Sequence, residues 1–252
     1  LRKLVVFDRL LARLLVAAPD RWTLKGAVAL QLRIGARFRT TKDLDLGRQD
    51  SEREATADLL AAGALDLGDH FSFAVERTAK LDAVLEGAAV RYRLEAELAA
   101  RLFEQITVDV GFGDPPLLDS DFVRGPDLLS FAGIYPVEAP ALSLEQHVAE
   151  KVHAYSRIYA GGRVSTRVKD LADLALLASL FPFQATRLRH VLQATFFARG
   201  THVLQTALPP PPQEWRVPYR RIAAELGLDP DVLVGYDEAR SFLDPILDAT
   251  AP

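Results

Sequence analysis

The sequence predicts an α+β fold: a mixed sheet with its helices over residues 1–140, then an all-helical half over residues 141–252. Three observations carry this. Several runs before residue 115 alternate apolar and polar residues or are β-branched, as half-buried strands are. From about Leu142 the apolar period lengthens from two to 3.6, the helical value. The change falls near residue 140, and the chain shows no internal repeat.

Each element has its own signal. Leu4, Phe7, Leu11, Leu14 and Leu15 share one face of a helix over residues 2–18. The short β-prone stretch RWTLKG ends at Gly26, and AVALQLRIG follows as a helix stopped by Gly35. KDLDLG reads as a strand, and SEREATADLLAAGAL as a helix opened by Ser51 and acids. FSFAVERT, AVRYRLEAEL and QITVDVGF are three further strands. In the second half, Ser143 caps a helix running toward Gly161-Gly162, with Gln146 at the capping-box position. Helices over VKDLADLALLASLF and TRLRHVLQATFFARG come next, the first halted by Pro182. Pro209–Pro212 form a stiff extended spacer, and two short helices, YRRIAAELG and YDEARSFLDPILDA, finish the chain.

Composition excludes several chemistries. The absence of cysteine rules out disulfides, thiolate zinc sites and cysteine nucleophiles. The five histidines show no repeated ligand spacing, so any metal is expected on carboxylates, which favours magnesium, with manganese as the alternative. Apolar runs are too short to span a bilayer and no signal pattern is visible, so a cytoplasmic protein with no membrane partner is expected. A net charge of −4 argues against wholesale nucleic-acid binding. Basic residues nevertheless cluster: Lys151, Arg157, Arg163, Arg167 and Lys169; then Arg187, Arg189 and Arg199; then Arg216, Arg220 and Arg221.

The residues most in need of an explanation are acids. Asp43 and Asp45 are two apart in a strand and therefore project from one face, where they repel. Asp109 sits inside the β-branched run ITVDVGF, an expensive place for a lone carboxylate. A hard divalent cation shared by the three acids would remove the penalty, and that is the arrangement which clamps triphosphate oxygens in nucleotidyl transfer. Gly26, between strand and helix, lets the backbone approach a phosphate at a helix N-terminus. Lys151 falls in the stripe defined by Leu144, Val148, Tyr155 and Ile158, where a lysine snorkels, pairs with a structural acid, or is held toward nucleotide phosphates. Asp170, near the start of its helix, suits the helix dipole, a salt bridge to Lys151 or Arg167, or a functional acid; Asp173, one turn along, can serve instead, and spacing does not choose between them.

Taken together, LKGAVALQLR, RTTKDLDL, ITVDVGF, LEQHVAEKVHA and RVKDLADL resemble the AbiE-type nucleotidyltransferase toxins, including the MenT toxins, of the DNA polymerase β-like nucleotidyltransferase superfamily. The resemblance covers roughly residues 20–180. It implies a nucleotidyltransferase core at 1–140 and a helical domain at 141–252. It implies magnesium ligation by Asp43, Asp45 and Asp109, a triphosphate contact from Lys151, and an acid from Asp170 or Asp173. Lys25, Gly26, Arg39 and Thr41 fall at nucleotide-binding positions, and the Thr41 hydroxyl is placed to touch a phosphate or to be modified. The activity implied is that of a toxin with a cognate antitoxin. It moves a nucleotide, most often a pyrimidine, from an NTP to the 3′ end of tRNA and so blocks translation. The chain departs from the superfamily turn in one respect: Gly26-Ala27-Val28 lacks the usual small hydroxyl residue, which removes one phosphate contact of about 1 kcal/mol. Transfer to a small molecule or a protein hydroxyl, and a non-catalytic binding module, are the alternatives.

Overall fold

A computed structural model describes residues 1–81, 89–112, 118–157 and 167–248. It divides into two compact units, Leu1–Ala36 with Thr40–Leu142, and Arg37–Arg39 with Ser143–Pro252.

In the first unit the amphipathic helix α1 (Arg2–Ala17) leads to β1 (Thr23–Lys25), which passes straight into α2 (Gly26–Ile34). The bend is made by Gly26 at φ +61°, a left-handed conformation that costs other residues energy. Then come β2 (Asp43–Arg48), α3 (Glu52–Ala64), β3 (Phe71–Leu81), β4 (Ala89–Leu98), β5 (Arg101–Phe112), β6 (Asp121–Arg124) and β7 (Glu138–Ala141). Ser51 and Glu54 close a reciprocal capping box at the start of α3. The sheet is mixed, in the order β3-β4-β5-β2-β1-β7-β6, with β2 parallel to β5 and β1 parallel to β7.

Its two faces differ sharply. Leu24, Leu44, Leu46, Tyr92, Leu94, Val108 and Val110 point into a core shared with Phe7, Leu10 and Leu14 of α1 and Leu59 of α3. The alternate residues (Thr23 and Lys25, Asp43 and Asp45, Thr107 and Asp109, Arg91 and Arg93) form the opposite, polar face, as the period of two requires.

Arg13 of α1 lies wholly within the core. Its guanidinium donates to both oxygens of Asp69 at 2.9 and 2.6 Å, and to the carbonyls of Arg9, Leu65 and Phe71. Burial would raise the Asp69 carboxyl, but bonds from Arg13 and the Phe71 amide hold it below the usual carboxylate range. Arg48 is likewise enclosed, lying 4.2 Å over the Trp22 ring and bonded to Asp50 and Asp58. Neither arginine stood out in the sequence, because each occupies an apolar helix or strand where partners distant in the chain satisfy it.

Two strands were not legible. β6 and β7 are four residues each, too short to show a period, and β7 contains Pro140. β5 also begins earlier than the expected residue 105. It forms a hairpin with β4 through Ala99 and Ala100, at φ +49° and +58°, a turn that normally announces itself by glycine or asparagine.

The second unit contains α4 (Leu144–Ser156), α5 (Val168–Leu180), α6 (Ala185–Arg199), α7 (Arg216–Leu226) and α8 (Val232–Leu247). α4 packs on α5 and α6, while α5 also meets α7 and α8. α5 is central: Leu171, Ala172, Leu174, Ala175, Leu176 and Leu177 are all buried, the pattern of a helix apolar nearly all round. The proline-rich spacer is tied into this unit. The Tyr155 hydroxyl donates to the Pro209 carbonyl at 2.6 Å, and the Tyr236 hydroxyl to that of Leu208 at 2.8 Å. Gly161, Gly162 and Arg163 lie outside the described residues. No described helix is long and apolar enough to cross a membrane.

A histidine cluster gives this unit a pH dependence. His153 bonds Thr201 at 2.8 Å and packs on Phe196 and His202, and His202 bonds Ser156 at 2.9 Å. Burial, then His202, Arg199 and Arg157, depress His153 to about 4, against a smaller opposing pull from Glu150. A histidine depressed on folding binds its proton more readily unfolded. Its contribution is therefore complete above about pH 6.5 and is lost as pH falls toward 4. Urea unfolding should show stability falling across that window, and His153→Phe should flatten the slope. An equally steep slope in the variant would assign it to other groups.

Candidate functional site

The polar face of the sheet brings four strands into one row. Lys25 of β1 is the register partner of Asp45 on β2, Asp45 of Asp109 on β5, and Asp109 of Arg91 on β4. The charges read plus, minus, minus, plus. Asp43 lies two residues before Asp45 on the same face, opposite Thr107. The expected side-by-side pair on β2 is thus in place, with a third acid on the adjoining strand.

The acids are held apart by different devices. Asp109 takes a two-pronged grip from Arg91, with Nε donating to Oδ1 at 2.8 Å and Nη2 to Oδ2 at 2.7 Å. The Asp45 carboxylate lies against the first residue of α2. A Cβ built on Gly26 would come within 2.0 Å of Asp45 Oδ2. The helix N-terminus there favours negative charge, which offsets part of the repulsion between the adjacent carboxylates. The glycine therefore serves a close approach by a protein carboxylate as well as the turn, a purpose the sequence did not reveal.

The Thr41 hydroxyl donates to the Asp43 carbonyl at 3.4 Å, a long bond that leaves the side chain half-buried ahead of the strand. Lys25 borders a cavity of about 280 Å³ with Thr23, Gly47, Gln49 and Asp50, on the same sheet face as the acids. Gly47 leaves room for the Lys25 side chain, since a Cβ there would come 2.9 Å from Lys25 Cδ.

The donor chemistry on β2 suits a hard cation: two carboxylates on one strand face, beside a glycine that admits one of them to a helix N-terminus. Among the described residues, however, no three His, Cys, Asp or Glu side chains converge on a point that could hold a metal ion. Asp109 is committed to Arg91 instead. Asp43 and Asp45 thus fit a divalent cation, and the third acid stands next to them without completing the set.

The second unit holds its own charged cluster. Arg39 donates to Asp173 through Nε at 2.9 Å and Nη2 at 2.8 Å. Lys151 of α4 donates to Asp173 at 2.6 Å and to Asp170 at 3.1 Å, both on α5. Asp173 is fully buried, and Lys151 and Asp170 are each 9% exposed. Burial alone would lower the Lys151 ammonium, but Asp173 and Asp170 raise it above the usual lysine value. Burial alone would raise Asp173, yet Lys151 and Arg39 hold it below the usual carboxylate range. Arg39, Lys151 and Asp173 stay charged at neutral pH, and together with Asp170 they form one internal network. Val148 and Tyr155 flank Lys151 in the buried stripe as expected, and Ile158 lies outside the described residues.

Several of the basic residues are spoken for. Arg187 pairs with Glu145 at 3.1 Å and Arg199 with Glu150 at 3.6 Å. Lys169 on α5 and Arg216, Arg220 and Arg221 on α7 are exposed.

Several solved structures share the fold. MenT4, the nucleotidyltransferase toxin Rv2826c from Mycobacterium tuberculosis H37Rv, is 20% identical with a TM-score of 0.58, covering 97% of this chain and 91% of its own. A structure described as a putative nucleotidyltransferase from H. pylori is 16% identical with a TM-score of 0.55, covering 97% and 95%. JHP933 from Helicobacter pylori is 16% identical with a TM-score of 0.56, covering 97% and 92%. No curated protein matches the sequence. Residues 9–245 match the family described as nucleotidyl transferase AbiEii toxin, type IV toxin–antitoxin system. The chain therefore belongs to the AbiEii family and is a toxin nucleotidyltransferase of a type IV toxin–antitoxin system.

Proposed function

We propose that the enzyme moves a nucleoside monophosphate, preferably a pyrimidine, from an NTP to the 3′ end of an RNA, most plausibly tRNA, with magnesium, and so halts translation. The observation that carries this reading is the acid row on the polar sheet face: Asp43 and Asp45 side by side, Asp109 on the next strand, and Gly26 against Asp45. In the reaction the acceptor 3′ oxygen bonds to the α-phosphorus, the bond from the α-phosphorus to the α,β-bridging oxygen breaks, and pyrophosphate leaves with that oxygen. A bound divalent cation supplies charge neutralisation for the phosphate oxygens and lowers the barrier to attack.

The chain's own residues do the rest. Asp43 and Asp45 would provide oxygen ligands, with Asp109 as the third carboxylate of the set, and Asp109 would also take the proton of the acceptor hydroxyl. Lys25 borders a cavity on the same face, where part of the nucleotide can lodge. Lys151 has two of its three donors on carboxylates, which leaves one N–H for a triphosphate oxygen. Between the two acids of α5, Asp170 is the one able to reach a ligand, whereas Asp173 is enclosed and anchors the cations. The exposed Arg216, Arg220 and Arg221 are suited to RNA phosphates. A type IV toxin also implies an antitoxin partner, here expected to be encoded nearby.

The acceptor is tested by incubating the protein with total tRNA and each α-labelled NTP in turn, beside Asp43→Ala. Label should reach tRNA from one or two NTPs, vanish in the variant, and fall steeply with added salt. Label on a small molecule or on protein, with none on RNA, would replace the RNA reading.

A further inference from the structure

We propose that Arg91 competes with the divalent cation for Asp109, so that the third acid joins the site only when the guanidinium lets go. This rests on reading Asp43, Asp45 and Asp109 as the cation-binding face.

Arg91 and Asp109 are register partners on β4 and β5, and the fork engages both carboxylate oxygens, at 2.8 and 2.7 Å. Asp109 is at the same time the register partner of Asp45. Neighbouring strands lie about 4.8 Å apart, so the two carboxylates repel unless a positive charge stands by. A guanidinium or a divalent cation can supply that charge. Both together at Asp109 would set two cations against each other, and the fork already aligns both oxygens with its own plane. Two states follow, one arginine-held and one cation-held. The structure shows the first, in keeping with the absence of a three-acid cluster among the described residues.

The latch is also weak enough to open. The Arg91 side chain is 41% exposed and that of Asp109 15%, so water screens the pair. Such a pair favours the closed state only modestly, and the measured cation affinity is reduced by the fraction of molecules held closed. Arg91 is thus a positioning residue, acting on the reaction through Asp109. Its effect is on cation affinity, separable from any effect on chemistry.

The test is Mn²⁺ binding to the full chain without nucleotide, followed by the electron paramagnetic resonance of free Mn²⁺, with thermal unfolding run alongside as a check of folding. Arg91→Gln should bind about three- to tenfold more tightly than the native protein. Arg91→Lys, which keeps the charge and loses the fork, should fall between the two. Asp109→Asn added to Arg91→Gln should abolish the gain. An Arg91→Gln affinity no tighter than native, while Asp45→Asn loses binding, would overturn the latch and leave the cation site standing. A gain that persists in the Asp109→Asn background would do the same by assigning it to charge alone. No saturable binding in any of these proteins would overturn the cation reading and the latch with it.

Discussion

Asp173→Ala is expected to destabilise the helical unit by about 3–5 kcal/mol, the cost of leaving buried charges without their partner. Asp173 is fully enclosed and takes three hydrogen bonds, two from Arg39 and one from Lys151. Its loss strands a guanidinium and an ammonium in the core, with only Asp170 left to Lys151. The pH dependence has a definite sign. A carboxyl held below its ordinary value stabilises the fold above about pH 4, and that contribution is lost as pH falls through the folded value. Urea unfolding at pH 7 should therefore show the full loss, and the difference between native and variant should shrink in strong acid. Asp170→Ala, which removes one bond from a less enclosed acid, should cost about 1 kcal/mol. Equal losses for the two variants would contradict the assignment of Asp173 as anchor.

Gly26→Ala is expected to lower turnover by about 100-fold or more while leaving the protein folded. Two effects combine at this position. Alanine at φ +61° carries a backbone penalty of about 1–2 kcal/mol, which a protein of this size tolerates. The larger effect is local: the new methyl would meet Asp45 Oδ2 at 2.0 Å and Cγ at 2.7 Å, so the carboxylate must swing away from the helix N-terminus. Turnover and Mn²⁺ affinity should fall together, as they should in Asp45→Asn. A variant with native turnover would mean that Asp45 does its work from another position.

Part of this geometry is readable in the sequence. The Asp-x-Asp spacing placed two acids on one face because a strand has a period of two, and the β2 register bears that geometry out. Lys151 declared itself by occupying an apolar stripe. Arg39 was read at a nucleotide-binding position, and the structure gives it a buried fork on Asp173, a pairing across 134 residues that no spacing rule reaches. Arg91 was invisible for a related reason. Within AVRYRLEAEL it is simply an outward residue of an alternating strand, and only the β4–β5 register sets it opposite Asp109. Local period fixes which way a side chain points; what it meets depends on the order of strands, which the sequence carries only weakly.

The most direct test of the central claim is pyrophosphate release from each NTP in the presence of magnesium and tRNA, by the native protein, Asp45→Asn and Arg91→Gln. The acid row on β2 and β5 predicts release with one or two NTPs, its loss in Asp45→Asn, and a lower magnesium requirement in Arg91→Gln. Undiminished release from Asp45→Asn would contradict the claim that the polar face of the sheet carries the chemistry.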